Sequence, residues 1–483
     1  MDDLLQETER LMARFPCLLT LIEADRDRYA LEQKALRERD RLWALAQSPL
    51  LPMVLPEERE ATPLALQDGR PRTPAEVVFI FMVLRGFVGG RLADAQLYAL
   101  LSDSITLRSY LPDPTSVPAI STITSILNHE LSQPTREATN QAILQRALAE
   151  GLDDFSTIVA DSTASAANSR YPTDNGLILR LIERATGLWQ ALGPQGVPAY
   201  QAWWIPRWLK SLRRHSFAID LAKTHPKRRA AYRRFLRVAE NILDHLGRQY
   251  DIHDDTVQER QPALPPSQAD SLGAAWNAIL HDLADADQLR QIAHLRAIDG
   301  QEPDPDRIWS LSDPDARLIK KGSRDTVFGY RPTVVRSESG LLTALCLDRG
   351  NTADSTLVLP VIDAHAAATG VQPSAASFDD GYANKQDARI AANHGTTVSV
   401  SGAKGKRQTS PTDWDSETYS CLRQLRPQVE SDINALKQRH GWARLSRRGL
   451  AAVRASLTEG IIAYNLLKLR RLRQSAQAAA HAA

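Results

Sequence analysis

Three carboxylates stand in positions that could do chemistry. Asp161 follows the apolar run Ser156-Thr-Ile-Val-Ala160, which reads as a short buried strand ending at an acid. Asp379 follows a second such run, Ala375-Ala-Ser-Phe378, and precedes Asp380-Gly-Tyr382. Glu430 lies in Arg426-Pro-Gln-Val-Glu-Ser-Asp-Ile-Asn-Ala-Leu-Lys437, a helical pattern. At about 100° per residue, Arg426, Glu430 and Lys437 fall at about 0°, 40° and 20°, one face, provided the helix runs through Pro427. If Pro427 opens the helix, Arg426 becomes its cap and the alignment loosens. Acids at two strand ends and on a helix can converge, and carboxylate oxygens are hard ligands suited to Mg²⁺. With 57 acidic residues in the chain, such placement carries the argument and abundance does not.

The elements that must position these groups are legible in outline. The 483 residues suggest about three domains, with core enough to need no staples. Asp2 to Gln47 is charged and helical, either a solvated helix pair packed on the body or a short coiled coil. Pro52 to Pro71 reads as a linker. A helix start follows, with Thr73 as cap, Pro74 at the first position and Glu76 closing a capping box. The run Val77 to Val88 stops at Gly89-Gly90. Helices at Leu92–Leu101, Val117–His129 and Thr135–Ala149 fit a helix-turn-helix or a plain bundle equally well. Gly176 to Leu295 is helical again, broken at Pro262–Pro266. Strands are expected at Thr326–Val335, Leu341–Leu347, Ala375–Phe378 and Thr396–Val400, the first two as a hairpin turning at Gly340. A helix at Val358–Thr369 lies among them, and Cys421 to Gln474 is helical and basic.

Charge separates sharply along this frame. Lys plus Arg is 59 against 57 acids, so the net charge is +2 and a uniformly polycationic surface is excluded. Arg207 to Arg237 nevertheless holds eleven Lys or Arg and one acid, Asp220, beside Trp203, Trp204 and Trp208 and interleaved with Tyr232 and Phe235. Lys227, Arg228, Arg229, Arg233 and Arg234 form its densest part. Gly402 to Arg473 carries fifteen basic residues against six acids. Such tracts suit a phosphate backbone, with the rings available to unpaired bases; the alternative is a solvated face balanced by distant acids. Three scattered cysteines exclude a disulfide framework and fit a reducing cytosol. The acidic N-terminus is no signal peptide, and no run is long enough to span a bilayer. The eleven histidines show no zinc spacing, and Gly402-Ala-Lys-Gly-Lys-Arg407 is no nucleotide-binding loop but a flexible basic one.

Taken together, these segments resemble the DDE transposases of bacterial insertion sequences. Asp161-Ser-Thr with Asn168-Ser-Arg-Tyr-Pro-Thr-Asp174 is similar to the first-acid motif of one subgroup. Phe328-Gly-Tyr-Arg331 and Asp348-Arg-Gly-Asn-Thr-Ala-Asp354 resemble the following hairpin and its exit. Asp379-Asp-Gly-Tyr382 resembles the second motif, and Arg426, Glu430 and Lys437 the Arg-x3-Glu-x6-Lys signature. The family's Tyr three residues before that Arg is here Arg423, with Tyr419 nearby as a substitute. The resemblance covers roughly Pro63 to Leu472 and leaves Asp2 to Gln47 outside.

It implies an α/β ribonuclease H-like mixed sheet flanked by helices, with a helical N-terminal domain and a helical insertion after the first strand. The implied boundaries are 1–60 for a helical segment and linker, 61–150 for a DNA-binding domain, 151–175 with 300–475 for the catalytic domain, and 176–299 for the basic insertion. It implies Asp161, Asp379 and Glu430 as catalytic and metal-binding residues, taking two Mg²⁺ ions with Mn²⁺ able to substitute. Arg426 and Lys437 would hold DNA phosphate, with Lys227, Arg228, Arg229, Arg233 and Arg234 on the insertion. The partners would be double-stranded DNA, both terminal inverted repeats and target, and a second copy of the chain. No membrane and no nucleotide cofactor are implied, and the setting is the bacterial cytoplasm. A transposase-derived DNA-binding protein without catalysis, or a metal-dependent nuclease of the same fold, are the alternatives.

Overall fold

The computed structural model describes residues 1–46, 72–169, 172–197, 205–301, 309–320, 326–349 and 352–482. The Pro-rich linker, Trp203, Trp204 and Tyr171 lie outside them. Two compact units form: one from Met1–Ala30, Gln67–Ser169 and Asp315–Ala483, the other from Leu31–Leu66 and Arg170–Pro314.

In the first unit, α1 (Asp2–Arg14) and the start of α2 (Cys17–Ala46) precede α3 (Ala75–Val88), α4 (Asp94–Asp103), α5 (Ile105–Arg108), α6 (Ile120–Ser125) and α7 (Gln133–Ala149). α3 is apolar on all sides, and Val77 through Leu84 are buried. Such a helix belongs inside a core. It packs on the long C-terminal helix, α17 (Leu450–Ala482), as do α7 and α1. Gly86 permits the crossing, because a Cβ there would lie 2.0 Å from the Glu459 carbonyl oxygen. At that crossing the buried Glu459 accepts from Arg85 (Nε–Oε2 2.8 Å) and Arg136 (Nε–Oε1 2.9 Å). Burial opposes the charge on Glu459, but the two guanidiniums hold its carboxyl below the usual range. The expected capping box is absent. α3 starts at Ala75 with no side-chain cap, and the Thr73 carbonyl instead accepts from Arg26 Nη1 at 2.6 Å.

β1 (Thr157–Ser162) and β2 (Ser165–Ala166) follow α7. The second unit is then built from α8 (Asp174–Ala191), α9 (Ile205–Leu221), α10 (His225–Arg260) and α11 (Pro266–His294), with a 3-10 turn at Gln261–Ala263 where the prolines fall. Its core gathers Trp189, Phe235, Tyr250 and Trp276 with aliphatic residues from all four helices.

The chain returns to the first unit with β3 (Arg317–Ile319), β4 (Val327–Tyr330), β5 (Thr333–Ser337), β6 (Leu342–Cys346), α12 (Val358–Thr369), β7 (Ala375–Phe378), α13 (Lys385–Asn393), β8 (Thr397–Val400), α14 (Ala403–Gln408), α15 (Pro411–Trp414) and α16 (Glu417–Arg439). The main sheet has five strands in the order β6-β5-β1-β7-β8. β6, β5 and β1 pair antiparallel, whereas β1, β7 and β8 run parallel, so the sheet is mixed as expected. The expected single strand Thr326–Val335 is two strands in two sheets. It breaks at Arg331-Pro332, where Pro lacks the ladder donor. β4 joins β2 and β3 in a three-stranded sheet, and the hairpin is β5–β6, turning at Gly340. The expected loop Gly402–Arg407 is instead the short helix α14.

Candidate active site

Register brings the first two acids level. β1 pairs parallel with β7 through Ile158↔Ala376 and Val159↔Ser377. Two residues further on, Asp161 and Asp379 leave the same end of adjacent strands. Asp161 is the penultimate residue of β1, and Asp379 comes directly after β7. Each has its backbone geometry fixed: Asp161 Oδ1 accepts the Ser162 amide at 2.8 Å, and Asp379 Oδ1 caps the Gly381 amide at 2.5 Å.

α16 supplies the third acid. It runs through Pro427, so Arg426, Glu430 and Lys437 do share a face. The helix packs on β1 and β7, with Ser377 Oγ donating to the Leu422 carbonyl at 2.8 Å. Its other side is fixed by Asp432, which accepts from Arg336 Nε at 2.5 Å and from the Tyr464 hydroxyl at 2.7 Å.

The three acids meet at one guanidinium. Arg426 Nη2 lies 3.5 Å from Asp161 Oδ2 and 3.2 Å from Asp379 Oδ2, and Nη1 lies 3.3 Å from Glu430 Oε1. The acid side chains are graded in depth, at 7% exposure for Asp161, 26% for Asp379 and 61% for Glu430. The cluster therefore opens to solvent on its helix side. Arg426, read from sequence as a phosphate ligand, stands here as the countercharge of the acids. Lys437 is half-buried on the same face, about 16 Å along the axis from Arg426 at 1.5 Å per residue. Arg423 stacks on Trp414, its guanidinium carbon 4.2 Å from the ring centroid.

Asp380 points elsewhere. Its Oδ1 accepts the amides of Lys404 (2.6 Å) and Gly405 (3.1 Å) at the start of α14. A 3-10 turn over Asp380–Tyr382 carries its side chain away from that of Asp379. A second charged pair, to which sequence reasoning gave no role, adjoins the acids. Arg331 is ion-paired with Asp354 and donates from Nε to Ser162 Oγ at 3.2 Å. Both lie in the motif segments Phe328–Arg331 and Asp348–Asp354, which were the available signal. Gly381 keeps this corner tight, since a Cβ there would lie 2.9 Å from Asp379 Oδ1 and 3.0 Å from Asp354 Oδ2. Burial and then the charges of Asp354 and Asp161 push the Tyr382 hydroxyl far above the usual tyrosine range.

The donor chemistry of the cluster, three carboxylates, fits a hard divalent cation. Among the described residues no three acidic, His or Cys side chains stand at direct ligand spacing, and the positive charge between them is the guanidinium.

The basic run lies in the second unit. Lys227, Arg228, Arg229, Arg233 and Arg234 are all exposed on the first turns of α10. Arg228 Nη2 donates to the Ala222 carbonyl at 3.2 Å, and Arg229 to that of Ile298. Asp220 accepts from Asn175 Nδ2 at 3.0 Å. The aromatic part of the reading is corrected for the rings that the structure describes. Phe235 is fully buried, and Tyr232 and Trp208 pack against the same core, so these rings serve folding. The spacing Ala231, Phe235, Ala239, Ile242, Leu246 was the signal for an apolar stripe.

No described helix is long and apolar enough to cross a membrane. No curated protein and no solved structure gives a significant match. Residues 299–466 match the family described as Transposase DDE domain, a segment that includes Asp379, Arg426, Glu430 and Lys437 and leaves Asp161 outside.

Proposed function

We propose that this chain is a DNA transposase of the DDE type, which cuts phosphodiester bonds at the ends of an insertion sequence and joins the freed 3′ oxygen to target DNA. The observation that carries the reading is the meeting of Asp161, Asp379 and Glu430 around Arg426, from β1, β7 and α16. The family match over 299–466 supports it. So does the mixed sheet, whose strand order and directions suit a ribonuclease H-like domain.

Asp161 would be shared between two divalent ions, Mg²⁺ or Mn²⁺, with Asp379 and Glu430 holding one each. When bound, such ions activate the attacking oxygen and stabilise the leaving one in an in-line displacement. With the acids so neutralised, the planar fork of Arg426 is available to a DNA phosphate, and Lys437 adds a point charge further along the same helix face. Lys227, Arg228, Arg229, Arg233 and Arg234 grip the duplex backbone without reading bases. The helices between Thr73 and Ala149 read the terminal inverted repeats. Two ends must be handled together, which calls for two copies of the chain, in the bacterial cytoplasm and without a nucleotide cofactor.

The test is incubation of purified protein with duplexes carrying its element ends, Mg²⁺ and a target plasmid. Joined products are expected. Cleavage without joining would make it a nuclease, and end binding without cleavage a DNA-binding relative.

A further inference from the structure

A cavity of about 600 Å³ opens in the first unit beside the first turn of α17. Its wall carries Arg85, Arg136, Arg447, Arg448, Asn128 and Asn168 and, among the described residues, no aspartate or glutamate. Arg85 and Arg136 are held at its back by the buried Glu459. Arg447 reaches Asp94 at 3.0 Å. Four guanidiniums against these two carboxylates leave an excess of positive charge. At the amino end of α17 the Leu450 amide is already taken by Asp315 Oδ2 at 2.9 Å, and Ala451 and Ala452 present only methyl groups to the cavity, so the excess rests on the guanidiniums. Asn168 fixes the rim: its Nδ2 donates to the Ser446 carbonyl at 2.9 Å, and its own carbonyl accepts from Arg448 Nε at 2.7 Å. The cavity is thus built for an anion.

The chain path says which anion. Asn168 is seven residues beyond Asp161, so the two lie at most about 25 Å apart. Along a duplex strand that is about seven nucleotides at 3.4 Å each. We propose that this cavity seats backbone phosphates of the same duplex that the acids cut, within about seven base pairs of the scissile bond. The proposal rests on the transposase reading but has its own test.

The full-length chain is titrated with a short duplex of arbitrary sequence over a salt series, followed by fluorescence anisotropy. Arg447→Gln combined with Arg448→Gln is expected to weaken binding and to lower the slope of log affinity against log salt by up to about 1.8, at about 0.9 per phosphate contact. Ala452→Asp is the second variant. It puts a carboxylate into the cavity at a helix start, where the fold favours one. It should weaken binding while the melting temperature holds. Wild-type affinity and slope in both variants would overturn the proposal. So would a melting temperature raised by inorganic phosphate in the wild type but not in the variants while the duplex slope stays constant, since the cavity would then serve a free anion. Asp161→Asn separates the two readings: if it still cleaves while the cavity variants lose slope, the acid assignment falls and the cavity stands.

Discussion

Two regions handle positive charge in opposite ways, the surroundings of Arg426 and Glu459 in the first unit and the start of α10 in the second. In the first, arginines are consumed by acids: Arg426 by three carboxylates, Arg85 and Arg136 by Glu459, Arg336 by Asp432. In the second, the first turns of α10 leave Lys227, Arg233 and Arg234 exposed with no ion-pair partner among the described residues. Charge that is paired and half-buried sets geometry, because its partners fix where it stands. Charge that is exposed and unmatched sets affinity for something outside the molecule. On the transposase reading, the same residue type therefore positions the acids in one region and recruits DNA in the other.

The largest effect expected from breaking this contrast is on cleavage. Asp161→Asn, Asp379→Asn and Glu430→Gln should each lower cleavage at least about a hundredfold, as removal of a group that stabilises transition-state charge does. Duplex binding should stay near wild type. A variant that retains more than about a tenth of the activity would not belong to the site. Gel assays of nicking and of binding on one preparation separate the two outcomes.

Next comes the buried charge at the α3–α17 crossing. Glu459→Gln leaves Arg85 and Arg136 buried without their counterion, a loss of about 3–5 kcal/mol, to be read by urea unfolding. The native carboxyl is held below its unfolded value, so its stabilisation is complete above that value and is lost as pH falls through the lowered one. Glu459→Gln should therefore flatten the acid limb of the stability curve. An unchanged limb would mean the triad is not acting as an ion pair.

Parts of this picture were legible in the sequence and parts were not, for physical reasons. β7, α12 and the helical face carrying Glu430 follow from local periodicity and motif spacing, which act within a few residues. Whether α16 passes Pro427 is open locally; in the fold it runs through, packed on β1 and β7. β2 and β3 are two and three residues long, too short for any alternation to show. Glu459 sits 374 residues from Arg85, and no local pattern announces such a pair. The basic neighbours of Phe235 mask, in the sequence, the apolar stripe it belongs to.

On the recruiting side, Lys227, Arg228 and Arg229 replaced together by Ala should weaken binding to all duplexes alike. The salt slope should fall by up to about 3, with base preference unchanged. Arg229 also holds the Ile298 carbonyl, so the variant should lose about 1 kcal/mol of stability. A melting curve shows whether the loss of binding exceeds what unfolding accounts for. Unchanged affinity and slope would make this a solvated face with no DNA role.

The smallest effect distinguishes neighbours. Asp379 and Asp380 are adjacent acids, yet one faces Arg426 and the other the start of α14. Asp380→Asn keeps an acceptor for the Lys404 and Gly405 amides and loses only the charge at a helix start, about 0.3–1 kcal/mol. Cleavage should fall modestly, through a slightly loosened Asp380–Tyr382 turn, and far less than in Asp379→Asn. Rescue should follow the same logic: Asp380→Glu, whose longer side chain misplaces the acceptor, should be no better than Asp380→Asn. If instead Asp380→Asn were the more damaging of the pair, the acid facing the scissile phosphate would be Asp380, and the turn after β7 would have to rotate when DNA binds.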